Sequence, residues 1–269
     1  MSSLSTGRAA ETLALDEGAQ KRVRRAGVMA RKRRPEGRLS SMLRRVFMKR
    51  ATVTACEQAT ERFHLITLES PEFRGVEWTP GDKLQIALGS AFVARTYTPI
   101  EWDSGTGRTR ILAYAHGVSP GGDWFRALRP GDVCDVFGPR ASLDVSWVPG
   151  PVFVLGDETS FGLAVAMRRQ GYAATIEFVF EVNPLVESHQ VLDALDFGAW
   201  RALERRHDDA HLAEIEPHLP ALAQSGATFV LTGRSTTIQR VRKALKGLDV
   251  PGTRLMTKAH WAPGKTGLD

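Results

Sequence analysis

The rhythm of apolar residues changes at Pro149-Gly150-Pro151, and this change limits the fold more than any other feature. Before it, short alternating runs are separated by glycine and proline: Thr52-Val53-Thr54-Ala55, Phe63 to Leu68, Lys83 to Leu88, Thr109 to Ala115 and Asp132 to Phe137. Alternation puts one face of each strand in a core. Many such strands joined by tight turns make a small antiparallel barrel. After it, Val152-Phe153-Val154-Leu155 is a continuous apolar run, followed by helical spacing over 160–170 and a strand from Thr175 to Val182. Ala227 to Leu231, the helical stretch Thr236 to Leu245 and a last strand from Arg254 to Ala259 complete the series. Unbroken apolar runs belong to strands covered on both faces, and strand–helix–strand succession predicts a parallel sheet with crossovers. The stretch 197–222 reads either way, with Trp200 to Arg206 as strand or helix. The expected fold is an antiparallel β-barrel over 48–149 followed by a parallel-sheet α/β domain over 150–269.

Length and composition agree with two modest domains: 269 residues, 42% hydrophobic and 25% charged. No apolar run is long enough to span a bilayer, and no signal-peptide core stands near the start, so a cytoplasmic protein is expected. The net charge of +6 is unevenly spread. Residues 1–50 hold 14 Lys and Arg against 4 Asp and Glu, so the remainder is mildly acidic. Residues 1–47 therefore read as a basic, disordered leader, densest at Arg31-Lys32-Arg33-Arg34, with no specific nucleic-acid site. Alternatively, translation starts at Met42 or Met48. Two cysteines, Cys56 and Cys134, are too few for a disulfide framework or a cysteine metal centre. His207 and His211 have the spacing that puts two rings on one helix face, but their surroundings are those of a solvated face, and no protein metal site is expected.

Two segments carry chemistry in the first half. Arg95-Thr96-Tyr97-Thr98-Pro99 follows a strand and offers a cation, a hydroxylated ring and a hydroxyl along one edge. A flavin asks for these: a partner for its phosphates, a flat neighbour for its ring and a donor near N5. An ordinary strand end is the competing reading. About twenty residues on, His116-Gly117-Val118-Ser119-Pro120-Gly121-Gly122 leads into a helix from Trp124 to Leu128. A glycine-rich turn at a helix start presents free N–H groups and the positive end of the helix dipole, which suits a pyrophosphate, and hence FAD over FMN. In the second half, Gly156-Asp157-Glu158-Thr159-Ser160 follows the first strand and Thr232-Gly233-Arg234 follows the 227–231 strand. Carboxyl ends of parallel strands are where such sheets bind nucleotides. Neither segment has a dinucleotide or ATP glycine fingerprint, so each also reads as a plain helix start.

RTYTP, the turn after His116, Pro130-Gly131-Asp132, Gly138-Pro139-Arg140 and GDET at 156–159 occur in the order found in siderophore-interacting proteins, the ferric-siderophore reductase branch of the ferredoxin reductase-like superfamily. The chain resembles that family from about Lys49 to Lys265, including the tail His260-Trp261-Ala262-Pro263-Gly264-Lys265. The resemblance implies an FAD-dependent reductase of ferric siderophores with NADPH or NADH as donor. It implies that Arg95 holds FAD phosphate, that Tyr97 lies against the isoalloxazine or ribityl chain, and that Thr98 donates near N5, with Thr96 in the same segment. It implies that His116, Gly117, Ser119, Gly121 and Gly122 hold the pyrophosphate side. Asp157, Glu158 and Thr159 would shape the nicotinamide side, Trp261 would lie near the flavin, and Arg234 would contact a nucleotide phosphate. Ile100 stands where the family often has arginine, which leaves the acceptor open. The alternatives are a flavin reductase serving a partner oxygenase or other small acceptor, and a non-enzymatic flavin-bearing binding protein.

Overall fold

A computed structural model describes residues 48–90, 93–115, 120–146, 148–171 and 175–265. The first half forms a seven-stranded antiparallel sheet: β1 (Lys49–Gln58), β2 (Phe63–Glu69), β3 (Lys83–Ser90), β4 (Val93–Tyr97), β5 (Pro99–Asp103), β6 (Arg108–Tyr114) and β7 (Val133–Arg140). Their order is β4-β3-β7-β1-β2-β6-β5. Alternate residues of five strands meet in one core: Ala51 and Val53, Ile66 and Leu68, Leu84 and Ile86, Ile111 and Ala113, Cys134 and Val136. A helix, α1 (Pro120–Ala127), adds Phe125 to that core, with Leu128 just beyond its end. Burial pushes the Cys134 thiol up to about 12, so it remains a protonated core group.

The second half forms a five-stranded parallel sheet of β8 (Val152–Asp157), β9 (Ile176–Val182), β10 (Arg201–Glu204), β11 (Thr228–Arg234) and β12 (Leu255–Trp261). Its order is β10-β9-β8-β11-β12, so consecutive strands run outward from β8 on both sides. Every residue of β8 and β11 is buried, as their unbroken apolar runs require. One face is covered by α2 (Phe161–Gln170) and α3 (Leu185–Ala194), the other by α4 (Leu219–Gln224) and α5 (Ser235–Gly247). The ambiguous stretch resolves into β10 and short 3₁₀ turns over Ala210–Glu214 and Glu216–His218. His207 and His211 therefore do not share an α-helical face. Strand β5 and helix α3 are elements that periodicity alone did not single out.

The two sheets share a core. Phe63 and Leu65 on β2 turn away from the barrel interior, while His64, Ile66 and Leu68 turn into it or toward α1. The outward set packs with Ile100, Leu112 and Phe161, and the Phe63 and Phe161 rings stack at 5.6 Å. Arg62 and Thr60 reach Glu187 on α3, and the Tyr114 hydroxyl donates to the Asn183 carbonyl at 3.3 Å. Among the described residues, no helix is long and apolar enough to cross a membrane.

Candidate FAD and nucleotide site

Strand β4 is an edge of the antiparallel sheet, and its last turn of chain carries Arg95, Thr96 and Tyr97. Tyr97 packs against the barrel core, 6.5 Å from the Trp124 ring of α1. Burial pushes its phenol far above the usual range, so it stays neutral and can act only as a hydrogen-bonding ring. Arg95 is half-buried and its Nη1 donates to the Ala94 carbonyl at 2.8 Å, while Thr96 is exposed. Helix α1 begins at Pro120, four residues before the expected start at Trp124, so Gly121 and Gly122 belong to its first turn rather than to a turn ahead of it. His116, Gly117 and Ser119 lie outside the described residues.

Thr98 closes the gap between the two halves. A Cβ placed on Gly162, at the start of α2, would stand 3.0 Å from the Thr98 carbonyl oxygen. The barrel's polar edge therefore lies against the helix that follows β8, and a side chain at 162 would push them apart.

The turn after β8 is built around Asp157, which is fully buried. Its Oδ1 accepts from the Thr159 amide at 2.9 Å and from the Thr159 hydroxyl. Its amide donates to Ser160 Oγ at 3.3 Å, completing a capping box. Its Oδ2 accepts from Trp261 Nε1 at 2.6 Å. Trp261 ends β12, two strands away, so this bond must pass over β11. Gly233 permits it: its φ is +92°, and a Cβ there would lie 2.4 Å from the Asp157 carboxyl carbon. Gly156 is needed for a similar reason, because a Cβ would lie 2.5 Å from Ser160 Cβ.

His260 completes the cluster and was not anticipated from sequence. Its Nδ1 is 3.0 Å from Thr159 Oγ1. The Thr159 hydroxyl proton is given to Asp157, so the oxygen accepts from His260 Nδ1–H, which fixes the tautomer. Burial lowers the pKa of His260, with Asp157 opposing and Lys258 reinforcing. The signal available in sequence was its place beside Trp261. Its role depends on the distant Thr159.

Glu158, also buried, accepts from the Asn183 amide at 2.7 Å and pairs with Arg205. Burial raises its pKa, and Arg205 and the Asn183 amide work against that shift. Arg234 is buried at the end of β11. Its guanidinium contacts Glu181 at 3.0 and 3.2 Å and Asp209 at 2.6 Å. Glu181 further accepts from Thr237 at 2.6 Å and from His211 Nε2 at 2.7 Å, while His211 Nδ1 accepts from the Arg206 amide. Both nitrogens of His211 are thus engaged. No group of metal-binding side chains occurs among the described residues.

The donor set fits FAD: a cation, a neutral buried ring and a hydroxyl on one edge, with a glycine-bearing helix start in the same half. Residues 36–143 match the model of the siderophore-interacting FAD-binding domain. This part of the chain is similar to the FAD-binding domain of siderophore-interacting proteins. It is joined to a parallel sheet in the arrangement of solved relatives. A siderophore utilization protein from T. fusca has 21% identity and a TM-score of 0.65, over 82% of this chain and 95% of that one. The siderophore-interacting protein SipS from Aeromonas hydrophila has 20% identity and a TM-score of 0.68, over 82% and 93%. The ferredoxin reductase in carbazole 1,9a-dioxygenase has 14% identity and a TM-score of 0.66, over 80% and 69%. At these identities the likeness establishes the ferredoxin reductase-like fold. No curated protein matches the chain in sequence.

Proposed function

We propose that the protein is an FAD-dependent oxidoreductase that takes reducing equivalents from a nicotinamide dinucleotide and delivers them to a ferric siderophore in the cytoplasm, releasing Fe(II). The observation that carries this reading is the contact of Thr98 with Gly162. It brings the polar edge of the FAD-binding domain to the start of α2, beside the Asp157 turn. Bound FAD would supply the redox chemistry, accepting a hydride and passing electrons onward. The chain's own residues bind and orient. Arg95 and the α1 N-terminus would hold the phosphates, Tyr97 would flank the ring system and Thr98 would donate near N5. Asp157, Glu158 and Thr159 would shape the nicotinamide side, and Trp261, fixed by Asp157, would close the flavin side. No acid–base pair is required of the protein.

The test is direct. The purified protein should be yellow, or become so with FAD, should bleach with NADH or NADPH without oxygen, and should then reduce a ferric chelate. A colourless protein that takes up no FAD would refute the proposal. The structural likeness to an oxygenase-system reductase supports a second reading, transfer to a partner protein. Bleaching by the nicotinamide with no reduction of any ferric hydroxamate or catecholate would select that reading.

A further inference from the structure

We infer that the nucleotide crevice is built for NADH and discriminates against the 2′-phosphate of NADPH. This rests on the donor assignment proposed above. A 2′-phosphate adds a dianion that proteins of this architecture hold with an arginine whose donors are available. Six arginines lie in sequence where they could serve: Arg168, Arg169, Arg201, Arg205, Arg206 and Arg234. Each already contacts another group of the protein, Arg169, Arg205, Arg206 and Arg234 through carboxylates and Arg168 and Arg201 through carbonyls.

Arg168 lies over the Phe178 and Phe197 rings at 4.8 and 5.0 Å and donates to the Ala199 carbonyl at 2.8 Å. Arg169 pairs with Glu101 of β5. Arg201 donates to the Glu214 carbonyl, and Arg206 pairs with the Glu214 carboxylate at 3.4 Å. Arg205 serves Glu158 and the Glu181 carbonyl, and Arg234 serves Glu181 and Asp209. The next cation along α5, Arg240, is held by Glu216 at 2.7 Å. The segment leaving β10 also carries Asp208 and Asp209. A dinucleotide running from the Asp157 turn over β9 and β10 would meet these engaged cations and carboxylates. Running over β11, it would meet Arg234 in the same state. Lys258, on β12, stands opposite Thr232 and short of the strand's carboxyl end. At Arg169, Arg205, Arg206 and Arg234 a 2′-phosphate would compete with a carboxylate already on the arginine, whereas a ribose hydroxyl can donate to such a carboxylate as it stands.

The experiment titrates NAD⁺ and NADP⁺ calorimetrically into the oxidised FAD-loaded protein, and compares anaerobic bleaching by NADH and NADPH. NAD⁺ should bind at least roughly ten-fold tighter than NADP⁺. Two variants each remove one carboxylate from an arginine: Asp209→Asn, which leaves Arg234 with Glu181 alone and tolerates the left-handed backbone there, and the surface change Glu214→Gln, which frees Arg206. Both should narrow the ratio by tightening NADP⁺. Equal or tighter binding of NADP⁺ to the unaltered protein would overturn the inference while leaving the reductase reading intact. So would a ratio that neither variant moves. Binding and oxidation of neither dinucleotide would overturn both.

Discussion

At the scale of single residues, the turn after β8 is held by side-chain hydrogen bonds centred on Asp157. Asp157 has no solvent exposure and uses both oxygens. Replacing Trp261 with Phe keeps a ring and removes the Nε1 donor, leaving Oδ2 short of a partner. The expected cost is about 1–3 kcal/mol by urea denaturation. An unchanged midpoint would mean that the indole bond contributes nothing. Arg95→Ala should weaken retention of FAD on gel filtration without unfolding the chain, because Arg95 makes only a bond to its neighbour's carbonyl in the structure described. Two histidines set an acid response. His64, against the Phe125 ring and near Arg126, and His260, beside Thr159, Asp157 and Lys258, are both held below the ordinary imidazole value of about 6.5, chiefly by burial. The unfolded chain therefore binds protons there that the native state resists. Stability should fall as pH drops through about 6.5 and the loss should end below the lower native values. The Tm of a His64→Gln/His260→Gln protein should fall less between pH 7.5 and 5 than that of the parent. Equal slopes would assign the acid loss elsewhere.

At the scale of elements, strand ends are locked by charge. Glu181 at the end of β9 takes Arg234, Thr237 and His211 from β11, α5 and the turn after β10. Removing one partner strands the others. Glu181→Ala should cost about 3–5 kcal/mol, whereas the paired change Glu181→Leu with Arg234→Met should cost much less. Urea midpoints of both variants check this, and equal losses would mean that cavity formation, not charge, dominates. The same elements show what the pattern of residues could reveal. β8 and β11 were legible because unbroken apolar runs have few alternatives. β5 was hidden because Pro99-Ile100-Glu101-Trp102-Asp103 mixes a proline and two acids into five residues. It is a strand because it pairs with β6 and buries Ile100 beneath α2.

At the scale of the molecule, the two sheets behave as one body because β2 is buried on both faces. Phe161, fully buried, joins Phe63 to Phe180 across the shared core at 5.6 and 4.9 Å. Phe161→Ala should cost about 3–5 kcal/mol. If the shared core is what couples the halves, the variant's thermal transition should be broader than the parent's or split in two; a sharp, unshifted transition would exclude that. The sequence by itself determined the order of a β half and an α/β half, the RTYT segment at a strand end and a helix following His116, though not that this helix begins at Pro120 and takes in Gly121 and Gly122. Those follow from local rules: periodicity, turn chemistry and short-range spacing. Only the tertiary structure decided that Asp157 crosses Gly233 to reach Trp261, that His260 joins Thr159, and that Arg234 and Arg205 are drawn to Glu181 and Glu158. These depend on residues far apart in the chain, up to 104 positions for Asp157 and Trp261, and no local rule reaches that distance.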